Sequence, residues 1–357
     1  MTPLKRKLFQ SHLDGIPLDL FVLTNDSGFQ VALTNYGARI LQIITPDDKG
    51  SMDDVVLGYA SIDDTIAARS SVGAFIGRYA GRIAQAQLNF NGQHYHLNAN
   101  DGPHCLHGGL EGLRFKALSV KEVQSDRLLL SYRFADGEMG FPGALDLKVE
   151  YRVTQHNTLE INYEASAIEM PTFASFAPHP YFNLNGCDSG SAMDHEVVIH
   201  SNRYFEVDEH LVATGKLIST EHSVYDLSAR RSLEQHLVNW NKTGFDDCFL
   251  MDRAPMVIPN GEETRLKLCA EVYAPKTGRS MKVSSTEPAM QFYTGLNPSA
   301  TIGQGRGKEG RFYQQQEGLC FEPQAYPNAP NCPGFQMPLI VPGVPKVEKT
   351  IFAFSTF

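Results

Sequence analysis

Leu145-Asp146-Leu147-Lys148-Val149-Glu150-Tyr151-Arg152-Val153 alternates apolar and polar residues without a break. Successive side chains of a strand point to opposite faces, so this run is a β-strand with one buried and one wet face. After the turn residues His156-Asn157 the alternation resumes in Leu159, Ile161 and Tyr163, which predicts an antiparallel hairpin. Leu266, Leu268, Ala270 and Val272 alternate with Lys267, Cys269 and Glu271 in the same way. Gln30 to Thr34 carries a similar signal, as does Leu88 to Leu97 around Asn91-Gly92. Turn residues recur at short, regular intervals along the chain. The only fair helix runs from about Ser228 to Asn239, where Leu233 and Leu237 are four apart and Ser228 is placed to cap the start. The predicted fold class is therefore all-β: one large antiparallel β-sandwich over residues 1–357, a single domain whose concave sheet carries a polar groove.

Composition agrees. Hydrophobic residues make up 42% of the 357 and aromatic residues 10%, with 21 Phe and 14 Tyr, enough for a real interior and rich in strand formers. The net charge of -9 and the lack of any basic run beyond Lys5-Arg6-Lys7 make nucleic acid and anionic membrane poor partners. Six dispersed cysteines without a CxxC read as reduced thiols. With no signal-peptide core and no apolar run long enough to span a bilayer, the expectation is a soluble, cytoplasmic protein. Asn25-Asp26-Ser27 and Asn241-Lys242-Thr243 match the glycosylation pattern and carry no weight in that compartment.

Two local frames point to chemistry. His179 sits in Pro178-His179-Pro180-Tyr181-Phe182-Asn183, and Glu322 in Cys320-Phe321-Glu322-Pro323-Gln324. Histidine lends a proton near neutral pH, and a carboxylate shielded by Phe321 and proline accepts one, so the two form a candidate acid and base. Taken alone, each reads more simply as a satisfied structural histidine and a solvated or salt-bridged strand carboxylate. Tyr181 and Phe182 read as part core and part sugar platform. His104 with His107, and His94 with His96, are spaced like metal ligands, yet no cysteine or carboxylate lies at matching spacing, so neither a metal nor another cofactor is expected. Gly303-Gln304-Gly305-Arg306-Gly307 imitates a phosphate loop without the following Lys-Ser/Thr and reads as a mobile surface loop. Asp246 with Glu322 would suit a glycosidase, but hydrolysis leaves the His179 motif without a role.

Gly77-Arg78-Tyr79-Ala80-Gly81-Arg82-Ile83, Leu106-His107-Gly108-Gly109 and His179-Pro180-Tyr181-Phe182-Asn183-Leu184 follow one another along the chain. Gly244-Phe245-Asp246-Asp247, Gln291-Phe292-Tyr293-Thr294-Gly295 and Phe321-Glu322-Pro323-Gln324 come after them. In this order, from about Val31 to the C-terminus, the chain resembles the aldose 1-epimerase (galactose mutarotase) family. The resemblance implies a β-sandwich of the galactose-mutarotase type. It also implies Glu322 as base, His179 as acid, and Arg82, His107, Asp246 and Gln291 as the residues that hold a monosaccharide. The choice of Asp246 over Asp247 rests on the resemblance alone, since both read as turn residues.

Exchange of α and β anomers removes the proton from the C1 hydroxyl while protonating the ring oxygen, turns C1, and closes the ring by the reverse transfers. Arginine, aspartate and glutamine suit sugar hydroxyls because they donate, accept, and do both. One departure stands out: Gly81 occupies a position where many relatives carry asparagine before the arginine, so specificity is expected to differ. The rival readings are a hexose-6-phosphate 1-epimerase, for which Arg78, Arg82 and Arg306 would supply cations, a carbohydrate hydrolase or lyase, and a non-catalytic sugar-binding protein. The assembly expected is a monomer or homodimer.

Overall fold

The computed structural model describes residues 3–238, 240, 242–251, 265–296 and 306–357. Three antiparallel sheets dominate. The largest has nine strands in the order Ser119–Val123, Arg127–Phe134, Leu145–Val153, Thr158–Ala167, Lys346–Thr356, Arg279–Ser285, Lys267–Ala274, Glu196–Ile199 and Arg231–Ser232. A five-stranded sheet runs Ala213–Ser219, Arg203–Val207, Asp246–Leu250, Ala289–Tyr293 and Cys320–Gln324, and a four-stranded meander covers Leu20–Thr24 to Met52–Asp54.

The hairpin read from sequence forms as expected. Leu145–Val153 pairs with Thr158–Ala167 in a register that sets Val153 against Leu159, and Leu145, Leu147, Val149, Tyr151 and Val153 are all buried. Gln87–Phe90 pairs with Gln93–His96, and Asn91 and Gly92 between them both take positive φ, the backbone that a two-residue hairpin turn requires. The main core is shared by the sheets. Val149, Ile161, Val283 and Phe352 of the nine-stranded sheet join Phe249, Phe292 and Phe321 of the five-stranded one in a single apolar cluster, with the rings of Phe292 and Phe321 stacked 5.0 Å apart.

The helix reading needs correction. The helix near Ser228 spans only Leu233–Leu237 and is capped by Ser232, whose hydroxyl accepts from Gln235 N, while the Ser228 hydroxyl donates instead to Asp226. Asn239 lies outside the described residues. A second helix, Ile62–Ala68, begins at Ser61, whose Oγ accepts from Asp64 N at 3.1 Å and donates to the Asp64 carboxylate at 2.6 Å. Ser61-Ile62-Asp63-Asp64 is a capping pattern legible in the sequence and passed over there.

The segments flanking the groove meet at close quarters. Gly108 takes φ +82°, and a Cβ on it would lie 2.2 Å from Gly77 O and 2.5 Å from Arg78 N. Two of the motifs quoted above are thus pressed backbone to backbone, with Leu113 N donating to Gly77 O at 3.0 Å beside them. Gly108→Ala is expected to cost roughly 2–3 kcal/mol, from the left-handed backbone and the clash together. Urea unfolding of the purified variant checks this, and a loss below about 0.5 kcal/mol, the usual range of harmless surface changes, would show that the two segments part freely.

Candidate active site

Strand alternation builds the floor of the site. Asp246, Gln291 and Glu322 come from three adjacent strands of the five-stranded sheet: Cys248 opposes Gln291, and Gln291 opposes Glu322. Their neighbours Phe292 and Phe321 point the other way, into the core. The side-chain period of two therefore presents the polar set to a groove while the phenylalanines anchor the same strands from behind. Gln291 Nε2 donates to Asp246 Oδ1 at 2.8 Å, which joins two of the three.

His179 and His107 arrive from outside this sheet. The short strand Ala177–Pro178 pairs with Phe75–Ile76, and His179 then donates its backbone N–H to Ala74 O while its carbonyl accepts from Gly73 N, both at 2.9 Å. Phe182 and Leu319 exchange backbone bonds of 2.8 and 2.9 Å, tying this segment to the strand of Glu322. The result sets His179 Nε2 3.4 Å from Glu322 Oε2. Cys105–Leu106 pairs with Arg82–Ile83, so Arg82 and His107 lie at one end of a short ladder. Arg82 Nε donates to Asp101 Oδ2 at 2.7 Å. The His107 ring lies edge-on to that of His179, centroids 5.5 Å apart.

All six residues expected from the sequence, Arg82, His107, His179, Asp246, Gln291 and Glu322, line one cavity of about 580 Å³. Asp101, Asp247, Gln324 and Arg114 line it too. Asp101 was missed because nothing in Asn100-Asp101-Gly102 distinguishes a turn aspartate from one that meets Arg82. Asp247 stands behind Asp246, its Oδ2 accepting from Asp246 N at 3.1 Å.

Burial sets the electrostatics. Glu322 is pushed well above the ordinary carboxylate range by desolvation, with Asp246 adding to the effect. Asp246 and Asp247 are raised for the same reason, Asp247 to about 6. His179 is lowered by burial to about 3, and His107 falls well below the usual imidazole value, with His179 and Arg114 contributing after burial. Burial therefore disfavours charge on both partners of the 3.4 Å contact between His179 and Glu322. Glu322 Oε2 and His179 Nδ1 are both buried without a hydrogen-bond partner among the described residues.

His107, His179 and Glu322 each bring a ligand atom within 4.8 Å of one another, a grouping the sequence spacing did not suggest. The hydrogen bonding argues against a metal there. Gly81 N donates to His107 Nδ1 at 3.2 Å, so Nδ1 holds the lone pair and the neutral ring carries its proton on Nε2. A ligating histidine has the opposite arrangement, with the second nitrogen donating outward. His104 stands apart, its Nδ1 accepting from Gln85 N at 3.1 Å.

Three other expectations change. Tyr181 and Phe182 are both buried, Tyr181 stacked on the His179 ring at 5.2 Å and Phe182 in the main core, so neither is a sugar platform. Arg78 is buried with its guanidinium given over to the carbonyls of Pro142, Gly143 and Phe173 and to Thr172, and offers no charge to a phosphate. Residues 303–305 of the glycine-rich stretch lie outside the described residues.

The sequence profile of the family described as Aldose 1-epimerase matches residues 19–352. The chain belongs to the aldose 1-epimerase family. Galactose mutarotase of Rattus norvegicus is 35% identical over 341 residues, covering 96% of this chain and 95% of the relative. Aldose 1-epimerase of Escherichia coli K12 is 31% identical over 329 residues, 91% of each chain. Among solved structures, an aldose epimerase homologue from C. elegans superposes with a TM-score of 0.85 at 25% identity, covering 94% of this chain and 98% of that one. The all-β, galactose-mutarotase-type fold expected from the sequence is thus the fold found, and the activity is that of an aldose 1-epimerase, an isomerase. Among the described residues no helix is long and apolar enough to cross a membrane.

Two outcomes follow from this geometry. Exhaustive chelation is expected to leave anomer exchange intact, and a large loss restored by zinc would overturn the tautomer argument for His107. Asp247 has a folded-state value of about 6 against an unfolded value of about 4. Its contribution to stability is therefore full below pH ~4 and lost as pH rises through about 6. Asp247→Asn removes that dependence, so urea midpoints measured across this window should fall less for the variant than for the parent; equal slopes would show that Asp247 titrates normally.

Proposed function

We propose that Glu322 and His179 are the base and acid that exchange the α and β anomers of free hexoses, galactose or glucose, and that Arg82, His107, Asp246 and Gln291 hold the sugar. The observation that carries this reading is the buried Oε2 of Glu322, without a hydrogen-bond partner among the described residues and 3.4 Å from His179 Nε2. A buried acceptor without a hydrogen bond is costly, and a sugar hydroxyl donated to it removes that cost.

The pair works on one proton. Burial favours the neutral form, with the proton on Glu322 and none added to His179. Transfer of that proton to His179 gives a carboxylate and an imidazolium, a costly ion pair in a dry site and so a strong base beside a strong acid. Glu322 then takes the proton from the C1 hydroxyl and His179 delivers one to the ring oxygen, the C1–O5 bond breaks and C1=O1 forms. Opening returns both residues to the neutral state that burial prefers. Rotation about C1–C2 presents the other carbonyl face, and the reverse transfers close the ring as the other anomer.

The groups around the pair suit an uncharged sugar. Arg82 is paired with Asp101, Arg69 with Glu111, and Arg114 is given over to the backbone carbonyls of His107 and Gly109, so of the cations that line the cavity among the described residues most are already engaged. Asp101, Asp246 and Asp247 line it as well and disfavour a sugar phosphate. We infer that the free hexose is turned over faster than its 6-phosphate, that the protein acts in the cytoplasm, and that residues 1–357 form one domain, because the strand Lys346–Thr356 sits between Thr158–Ala167 and Arg279–Ser285 at the middle of the largest sheet.

Glu322→Gln keeps shape and hydrogen bonding but cannot take the proton. Background-corrected polarimetry on α-galactose and α-glucose should show kcat reduced about a hundred- to ten-thousand-fold, with folding unchanged in a thermal melt. His179→Asn should likewise lower kcat more than it raises KM. Near-normal kcat in the glutamine variant, with only KM raised, would end the base assignment.

A further inference from the structure

We propose that Arg114 is a positioning residue for anomer exchange: its guanidinium clamps the backbone carbonyls of His107 and Gly109 and so holds the His107 imidazole with its Nε2–H toward the sugar. The proposal rests on the reading of His107 as a sugar-holding residue.

The loop that delivers His107 is conformationally expensive. His107, Gly108 and Gly109 take positive φ in succession, +54°, +82° and +91°. For a histidine this backbone is unusual and reverts unless something holds it. Arg114 supplies the hold. Nη1 donates to His107 O at 2.5 Å and Nη2 to Gly109 O at 3.1 Å, the two arms of one planar fork bridging the turn. On the other side of the residue, Gly81 O accepts from His107 N at 3.1 Å and Gly81 N donates to Nδ1, so the ring is fixed in both orientation and tautomer.

Arg114 is itself braced. Arg39 Nη2 donates to Arg114 O at 2.9 Å and also to Ser70 O, and its Nη1 donates to Val72 O, while its buried Nε has no hydrogen-bond partner among the described residues. Both arginines are buried, and among the described residues neither forms an ion pair with a carboxylate. A buried guanidinium without a counter-ion is a poor choice for stability alone. Its justification is geometric: one planar fork holds two carbonyls two residues apart in a fixed arrangement, where the rotatable ammonium of lysine is a compact point charge. Because Arg114 also lines the cavity that holds His107, His179 and Glu322, a slackened loop would move the His107 donor directly at the sugar site.

The test uses Arg114→Met, which keeps apolar length without the fork, and Arg114→Lys, which keeps the charge and N–H donors without the planar fork. Folding is checked by thermal melts, kcat and KM by polarimetry on galactose, and the His107 tautomer by ¹⁵N spectra of histidine-labelled protein, assigned with a His107→Asn sample. The parent should show His107 protonated on Nε2. Arg114→Met should lose roughly 10- to 100-fold in kcat/KM, the scale of a misplacement of about 1 Å, and its His107 signals should move toward mixed tautomers; Arg114→Lys should recover the melt more than the rate. A folded Arg114→Met with parental kcat/KM and unmoved His107 signals overturns the proposal, as does a parent with the proton on Nδ1. Should the methionine variant not fold, Arg114→Lys decides: parental rate and spectrum overturn the proposal, and a loss of rate with shifted His107 signals supports it. Full activity in Glu322→Gln would sink the base assignment instead, leaving the His107 spectra as the measure of Arg114.

Discussion

Glu322 and His179 face each other at 3.4 Å in a part of the protein where neither is comfortable carrying charge. That constraint orders the rest of the site. Desolvation raises the energy of the carboxylate and of the imidazolium alike, so the pair holds its proton in the neutral form and gives it up only to a partner that supplies hydrogen bonds in return. A cyclic aldose, with a hydroxyl at C1 and an acceptor in the ring oxygen, has both halves of what the pair lacks. Under the proposed assignment, the cost of a dry acid and base is thereby turned toward ring opening.

Keeping such a pair in place requires a stiff surround. The five-stranded sheet does part of this, because Phe292 and Phe321, stacked in the main core, lock the strands whose alternate residues are Gln291 and Glu322. Hydrogen bonds do the rest. Gln291 holds Asp246, Asp101 holds Arg82, and the amide of Gly81 holds the His107 ring. Two buried arginines, Arg39 and Arg114, hold backbone carbonyls rather than carboxylates, and brace the left-handed turn at His107 from behind. The groove is polar on its face and rigid in its support, which is what oriented proton transfer needs.

Much of this was legible in the chain. The 145–163 hairpin followed from alternation, and the turn at Asn91-Gly92 from its residue types, because period and turn chemistry are local properties. Helix ends were read less well. Ser228 looked like a cap, but its hydroxyl is satisfied by Asp226, and Ser232 caps the helix Leu233–Leu237; at Ser61 the capping pattern was present and competed poorly against a strand-rich background. Tyr181 and Phe182 looked half exposed because they follow a site histidine, yet both point into the interior.

The sequence by itself determined the fold class, which follows from the periodicity of its strands, and, through the resemblance of its ordered motifs to the aldose 1-epimerase family, the six residues that meet in one cavity. Only the tertiary structure decided how those residues are charged and held. The pairing of Arg82 with Asp101, the tautomer of His107, the hold of Arg39 on Arg114 and the burial that raises Glu322 all join positions well apart along the chain or depend on how much water is excluded. Such terms arise from distance and desolvation in three dimensions, and no local pattern carries them.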